Sequence, residues 1–174
     1  NNCGGCGYAG CDGLAKAIAN GEAPVNGCPV GGAAAAEKIS AIMGVEAGEF
    51  VKKVAFVKCA GTCEKASDKY QYSGTCEKTK DNYEYTGVED CEMMAFIPGG
   101  GSKACNYGCM GFGSCAAVCP ENAISIVNGI AHIDEEACVG CGKCAETCPK
   151  ALIDLVPENK KTRVQCSSKE FGKN

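Results

Sequence analysis

This chain has no tryptophan, a single histidine and only 6% aromatic residues, and each shortage removes something. Without large rings a core must be built from small aliphatic side chains, so burial alone is a weak source of cohesion for 174 residues. One histidine, His132 in the alternating stretch GIAHID, excludes chemistry built on several imidazoles and reads as a strand-edge polar residue. No glycine-rich loop leads from a strand into a helix, so no nucleotide site is indicated, and the GGG at 99–101 reads as a flexible joint. No apolar run is long enough to span a membrane and no signal peptide is visible. Positive charge is short as well: the net charge of −4 offers no general attraction for nucleic acid.

Cysteine is what the chain has in excess, 17 of them beside 24 glycines. Such density means a disulfide scaffold or a metal protein. Disulfide frameworks pair even numbers of cysteines at scattered spacings in oxidising compartments. Here the number is odd and the spacings are tight, as in Cys3-x2-Cys6 and Cys138-x2-Cys141-x2-Cys144, which favours ligands in a reducing compartment. Zinc also uses Cys-x2-Cys pairs. The run from Cys138 through Cys141, Cys144 and Cys148 to Pro149 is instead the bacterial iron–sulfur spacing, in which the last cysteine serves a second cluster.

A second copy of that run exists with one member missing. CMGFGSCAAVCPENAI (109–124) lies 29 positions before CVGCGKCAETCPKALI (138–153), and Phe112 stands where the later copy has Cys141. Cys105, four residues before Cys109, is the expected substitute. One [4Fe–4S] cluster is then expected on Cys105, Cys109, Cys115 and Cys148, and another on Cys138, Cys141, Cys144 and Cys119. Phe112 is expected to cover the first of these and limit water. The rival is a three-iron centre with Cys105 free.

The chain reads as α+β, in small loop-rich iron–sulfur domains: an N-terminal helical four-cysteine module followed by a bacterial two-cluster ferredoxin-like domain. Residues 1–48 hold Cys3, Cys6, Cys11 and Cys28, expected to bind a further [4Fe–4S] cluster, with helical patterns at DGLAKAIAN and AAAAEKISAIM. Residues 49–103 form a linking segment with a strand pattern at VKKVAFV and a tandem 13-residue duplication, GTCEKASDKYQYS followed by GTCEKTKDNYEYT. The ferredoxin-like part covers 104–157. A basic tail, 158–174, returns Cys166 to the linking segment; it is either a local dock for an acidic partner or a solvated end. Three clusters leave Cys59, Cys63, Cys76, Cys91 and Cys166 over. The duplication makes Cys76 a spare copy of Cys63, so a fourth site is expected on Cys59, Cys63, Cys91 and Cys166. Zinc or unligated thiols are its rivals.

Taken in order, NCGGCGYAGCDGLAKAI with NGCPVGG, VKCAGTC, EDC, ACNYGCMGFGSCAAVCPENAI, NGIAHIDEEACVGCGKCAETCPKALI and VQCSSKEFGK resemble the B subunit of the Rnf-type ferredoxin:NAD oxidoreductase. The resemblance implies an electron-transfer subunit that takes electrons from reduced ferredoxin and passes them to other subunits of a membrane complex that pumps Na⁺ or H⁺. It implies a place on the cytoplasmic face of the membrane, with the residues present here soluble, no catalytic site and no bound nucleotide. The family's B subunit is usually tethered by an N-terminal membrane helix and in some members carries further ferredoxin repeats, so the chain is expected to continue at either end. A free polyferredoxin, or an electron-transfer subunit of another oxidoreductase, is the alternative.

Overall fold

The computed structural model describes residues 2–60, 81–94, 96–160 and 162–169. Cys63, Cys76, most of the duplicated stretch and the tail residues Lys161 and Lys173 lie outside them. Helix α1 (Cys11–Ala19) starts after Gly10, and its stripe of Leu14, Ala17 and Ile18 is buried. Helix α2 (Gly32–Met43) ends on Gly44 in the left-handed conformation, where only glycine avoids a Cβ penalty. Leu14, Ala17, Ile18 and Ala23 form a small core of their own, with Cys6, Tyr8, Cys28 and Ile39 packed on it.

The remaining elements build a second core. They are β1 (Lys53–Val57), α3 (Cys91–Met94), α4 (Ser114–Ala117), β2 (Ile124–Val127), β3 (Ile130–Ile133), α5 (Lys143–Thr147) and β4 (Ile153–Pro157). β2 and β3 form an antiparallel hairpin, while β4 pairs antiparallel with β1, Val54 opposite Val156 and Val57 opposite Ile153. Val54, Ala55 and Val57 share one core with Ile124, Leu152 and Ile153. The strand read as part of the linking segment therefore sits in this second core, with the strands of residues 104–157. The internal repeat is strand, cysteine loop, helix, strand: β1 to β2, then β3 to β4. In the second repeat β3 runs almost directly into its loop at Cys138. In the first, residues 58–108 intervene between β1 and Cys109.

The two loops turn on matching glycines. Gly113 and Gly142, both left-handed, lead into α4 and α5. Gly111 and Gly140 also have positive φ, and a side chain on either would run into a backbone carbonyl, that of Gly129 or of Lys53. The tail is docked in part: Arg163 pairs with Glu135, lies 5.4 Å above the Phe56 ring and donates to the carbonyl of Pro157. Arg163 is thus neither solvated nor available as a dock.

Candidate metal centres

Cys119, Cys138, Cys141 and Cys144 line one cavity of about 350 Å³ beside Ala55, Ala123 and Ile124. Cys138 and Cys141 come from the loop after β3, Cys144 from the first turn of α5, and Cys119 reaches over from the Cys-Pro corner that ends α4. A backbone N–H points at two of the sulfurs: Ala55 donates to Cys138 Sγ and Ala123 to Cys119 Sγ, each at 3.4 Å. Donation of this kind stabilises thiolate charge and raises the reduction potential of a cluster held there.

The matching cavity of the first repeat, about 410 Å³, is lined by Cys91, Cys109, Cys115 and Cys148 among Val57, Ile126 and Leu152. Leu152 N–H donates to Cys148 Sγ at 3.4 Å, repeating the contact of Ala123 with Cys119. Here the structure departs from the sequence reading. Cys105 is not among the lining residues, and Cys91, assigned by counting to another site, is. Phe112 does not cover the cavity either; its ring lies against Tyr85 with centroids 5.8 Å apart, along a separate groove.

Cys59 and Cys166 face each other in an antiparallel bridge. Cys59 Sγ accepts the N–H of Cys109 at 3.4 Å, and Cys166 Sγ accepts that of Ser168 at 3.5 Å. Cys105 opens the turn that precedes Cys109, closed by Gly108 N–H on the Cys105 carbonyl. In the N-terminal part Cys3 and Cys6 lie in the loop before α1, Cys11 is its first residue, and Cys28 precedes α2, where its sulfur accepts the Gly31 N–H at 3.2 Å.

The donor chemistry fits iron–sulfur clusters better than single ions. Among the described residues no three Cys, His, Asp or Glu side chains converge closely enough to hold one metal ion. Zinc needs four ligands meeting at one point about 2.3 Å from each sulfur. A four-iron cube takes one thiolate at each corner, and four cysteines line each of these two cavities. Burial pushes the Cys144 thiol up to about 12, with Cys138 and Cys141 adding repulsion, and pushes Cys115 up to about 11, with Cys109, Cys91 and Cys148 adding theirs. Thiols held that high stay protonated at neutral pH until a metal displaces the proton. Lys150, whose pKa is lowered by burial against the pull of Cys105, Cys109, Cys148 and Cys59, is a cation drawn in among them.

This is the donor set of an iron–sulfur protein. The family described as "Putative Fe-S cluster" matches residues 1–30, and that described as "4Fe-4S binding domain" matches residues 130–153. The chain is 49% identical over 173 residues to the B subunit of the Na(+)-translocating ferredoxin:NAD(+) oxidoreductase complex of Acetobacterium woodii, covering 99% of this chain and 48% of that protein. It is 41% identical to the proton-translocating counterpart of Clostridium ljungdahlii, over 98% of this chain and 56% of the relative. With the B subunit of the ion-translocating oxidoreductase complex of Methanosarcina acetivorans it shares 38%, over 99% and 60%. Over the region matched, the chain belongs to this family of B subunits, and it spans about half the length of these relatives. No helix among the described residues is long and apolar enough to cross a membrane.

Proposed function

We propose that the chain is an electron relay of four [4Fe–4S] clusters, taking electrons from reduced ferredoxin and passing them to other subunits of a membrane-bound ferredoxin:NAD oxidoreductase that moves Na⁺ or H⁺. One site is the N-terminal set Cys3, Cys6, Cys11 and Cys28; another is Cys138, Cys141, Cys144 with Cys119. A third is built on Cys109, Cys115 and Cys148, and a fourth around Cys59 and Cys166, with Cys63 rather than Cys76 as its ligand from the duplicated stretch. The two-module arrangement follows: an N-terminal cluster module beside a two-cluster ferredoxin-like unit, facing the cytoplasm.

The observation that carries this reading is the contiguity of the sites. A Cβ on Gly5 would lie only 2.8 Å from the Cys141 carbonyl oxygen, so the N-terminal loop rests on the 138–144 loop. Cys144 senses Cys115 of the next cavity across the packed helices α4 and α5. Cys109 in turn donates its N–H to Cys59. Electron tunnelling weakens exponentially with distance, so a row of sites on adjoining loops and helices conducts where scattered ones would not. Clusters supply the redox change when bound; this chain's residues hold them, keep water out with apolar walls and set potentials through N–H donation and Lys150.

Iron and acid-labile sulfide on anaerobically purified protein test it, with about 16 of each per chain expected. Reduced ferredoxin should then bleach the visible absorbance within mixing time. A folded, colourless chain would sink the relay. A brown protein that dithionite reduces and ferredoxin does not would leave the clusters standing and remove the proposed donor.

A further inference from the structure

The first repeat lacks a cysteine where the second has Cys141, and its cavity nonetheless presents four thiols. Each comes from a different piece of chain: Cys109 from the loop, Cys115 from α4, Cys148 from the opposite Cys-Pro corner, and Cys91 from the start of α3. Resting on the iron–sulfur reading above, we infer that Cys91, and not the nearer Cys105, is the fourth thiolate of the cluster held by Cys109, Cys115 and Cys148, and that Cys105 serves the adjoining site with Cys59 and Cys166.

Cys91 is held at the cavity by three kinds of contact. Its own N–H donates to Ser114 Oγ at 3.1 Å, tying it to the residue beside Cys115. The Asp90 carboxylate accepts the N–H groups of Glu92 at 2.8 Å and Met93 at 3.1 Å, closing the first turn of α3 as an N-cap does. Met94, on the same turn, is 1% exposed and anchors the helix in the protein.

Cys105 does not line that cavity and opens a turn whose later residues touch the Cys59–Cys166 bridge. Ser167, next to Cys166, donates its hydroxyl to the Tyr107 carbonyl at 2.9 Å. Cys109, at the end of that turn, donates its N–H to Cys59 Sγ. Lys150 donates to the Asn106 carbonyl at 2.9 Å and so stands between the Cys105 turn and Cys148. The turn is thus tied to the Cys59–Cys166 bridge at Tyr107 and at Cys109. Short sequence distance favours Cys105 in the vacancy; the packing gives that place to a residue 18 positions upstream of Cys109.

Double variants decide between the two. Cys148→Ser alone should lose one cluster, about four iron per chain. Adding Cys91→Ser should cost no further iron, because both thiols serve one site, whereas adding Cys105→Ser should bring the loss to about eight. The reverse pattern overturns the inference. Should the variants fail to fold, the unaltered holoprotein answers: as a chelator strips its clusters stepwise, newly freed thiols are alkylated and mapped. Cys91 is expected to become reactive in step with Cys115 and Cys148, and Cys105 in step with Cys59 and Cys166. Cys105 moving with Cys115 overturns the assignment. An unaltered protein that holds no iron overturns the relay itself, and the ligand assignment with it.

Discussion

The two repeats of the ferredoxin-like core make an internal comparison. In the second, strand, cysteine loop and helix follow one another closely, and Cys138, Cys141 and Cys144 come from that loop and the first turn of α5. In the first, residues 58–108 separate the strand from the loop, and a local cysteine is missing. Yet the cavities match, down to paired glycines, a left-handed residue ahead of each helix and an N–H on each Cys-Pro sulfur. A cluster is held at four points and is indifferent to the chain that joins them. An insertion there is cheap as well, since loop closure costs only about 0.6 kcal/mol per doubling of length. In the first repeat the inserted stretch brings Cys91 to the wall of the cavity that lacks a local cysteine.

The comparison breaks first at the metal. Removing iron with a chelator should abolish cooperative unfolding of both repeats together, because binding and folding are one free energy in small sites of this kind. Circular dichroism during chelation would follow it. Reloading should run faster at pH 9 than at pH 7, since the raised thiol pKa values of Cys115 and Cys144 leave fewer thiolates at neutral pH.

Matching glycines give the next largest effect. Gly140→Ala and Gly111→Ala each force a left-handed alanine against a backbone carbonyl. Each should cost about 3 kcal/mol, read as a roughly hundred-fold faster loss of clusters in mild denaturant. Equal penalties would support the equivalence of the two loops; a harmless Gly111→Ala would show that the insertion had relaxed the first one.

Lys150 sharpens the contrast, because its charge is sensed by Cys109 and Cys148 of the first repeat and by Cys59 and Cys105 next to it. Lys150→Met should lower the potentials of those two sites by about 40 mV, the one-electron equivalent of about 1 kcal/mol. The site on Cys138, Cys141 and Cys144 should stay where it is. Potentiometry with spectroscopic readout separates them. The smallest change is at the surface: Asp154→Asn, which removes a 2.9 Å pair with Lys58 between β4 and the end of β1, should cost about 0.5 kcal/mol.

Elements with a local signature were legible from the residues. The helical patterns of α1 and α2 and the alternation around β3 announce themselves within a dozen positions, because each is built from interactions with near neighbours. The partner of β1 was not legible. KVAFV reads as a strand wherever it is put, and its pairing with β4 is settled by a core that joins Val54 and Val57 to Leu152 and Ile153. The Arg163 pairing with Glu135 likewise carries no local trace. Phe112 gave a misleading signal: an aromatic beside a cysteine loop is as consistent with capping a cluster as with its observed contact with Tyr85.

The kind of chemistry was settled by residue type and short spacing: thiols two or three residues apart, with glycines between them and proline after them, are held near one centre by backbone geometry alone. Which thiols lie together around a cavity is decided only in three dimensions. Over tens of residues the chain can close almost any loop at similar cost. The proposed choice of Cys91 over Cys105 therefore rests on a buried methionine, a hydroxyl on α4 and a tail serine that binds the Tyr107 carbonyl in the turn Cys105 opens.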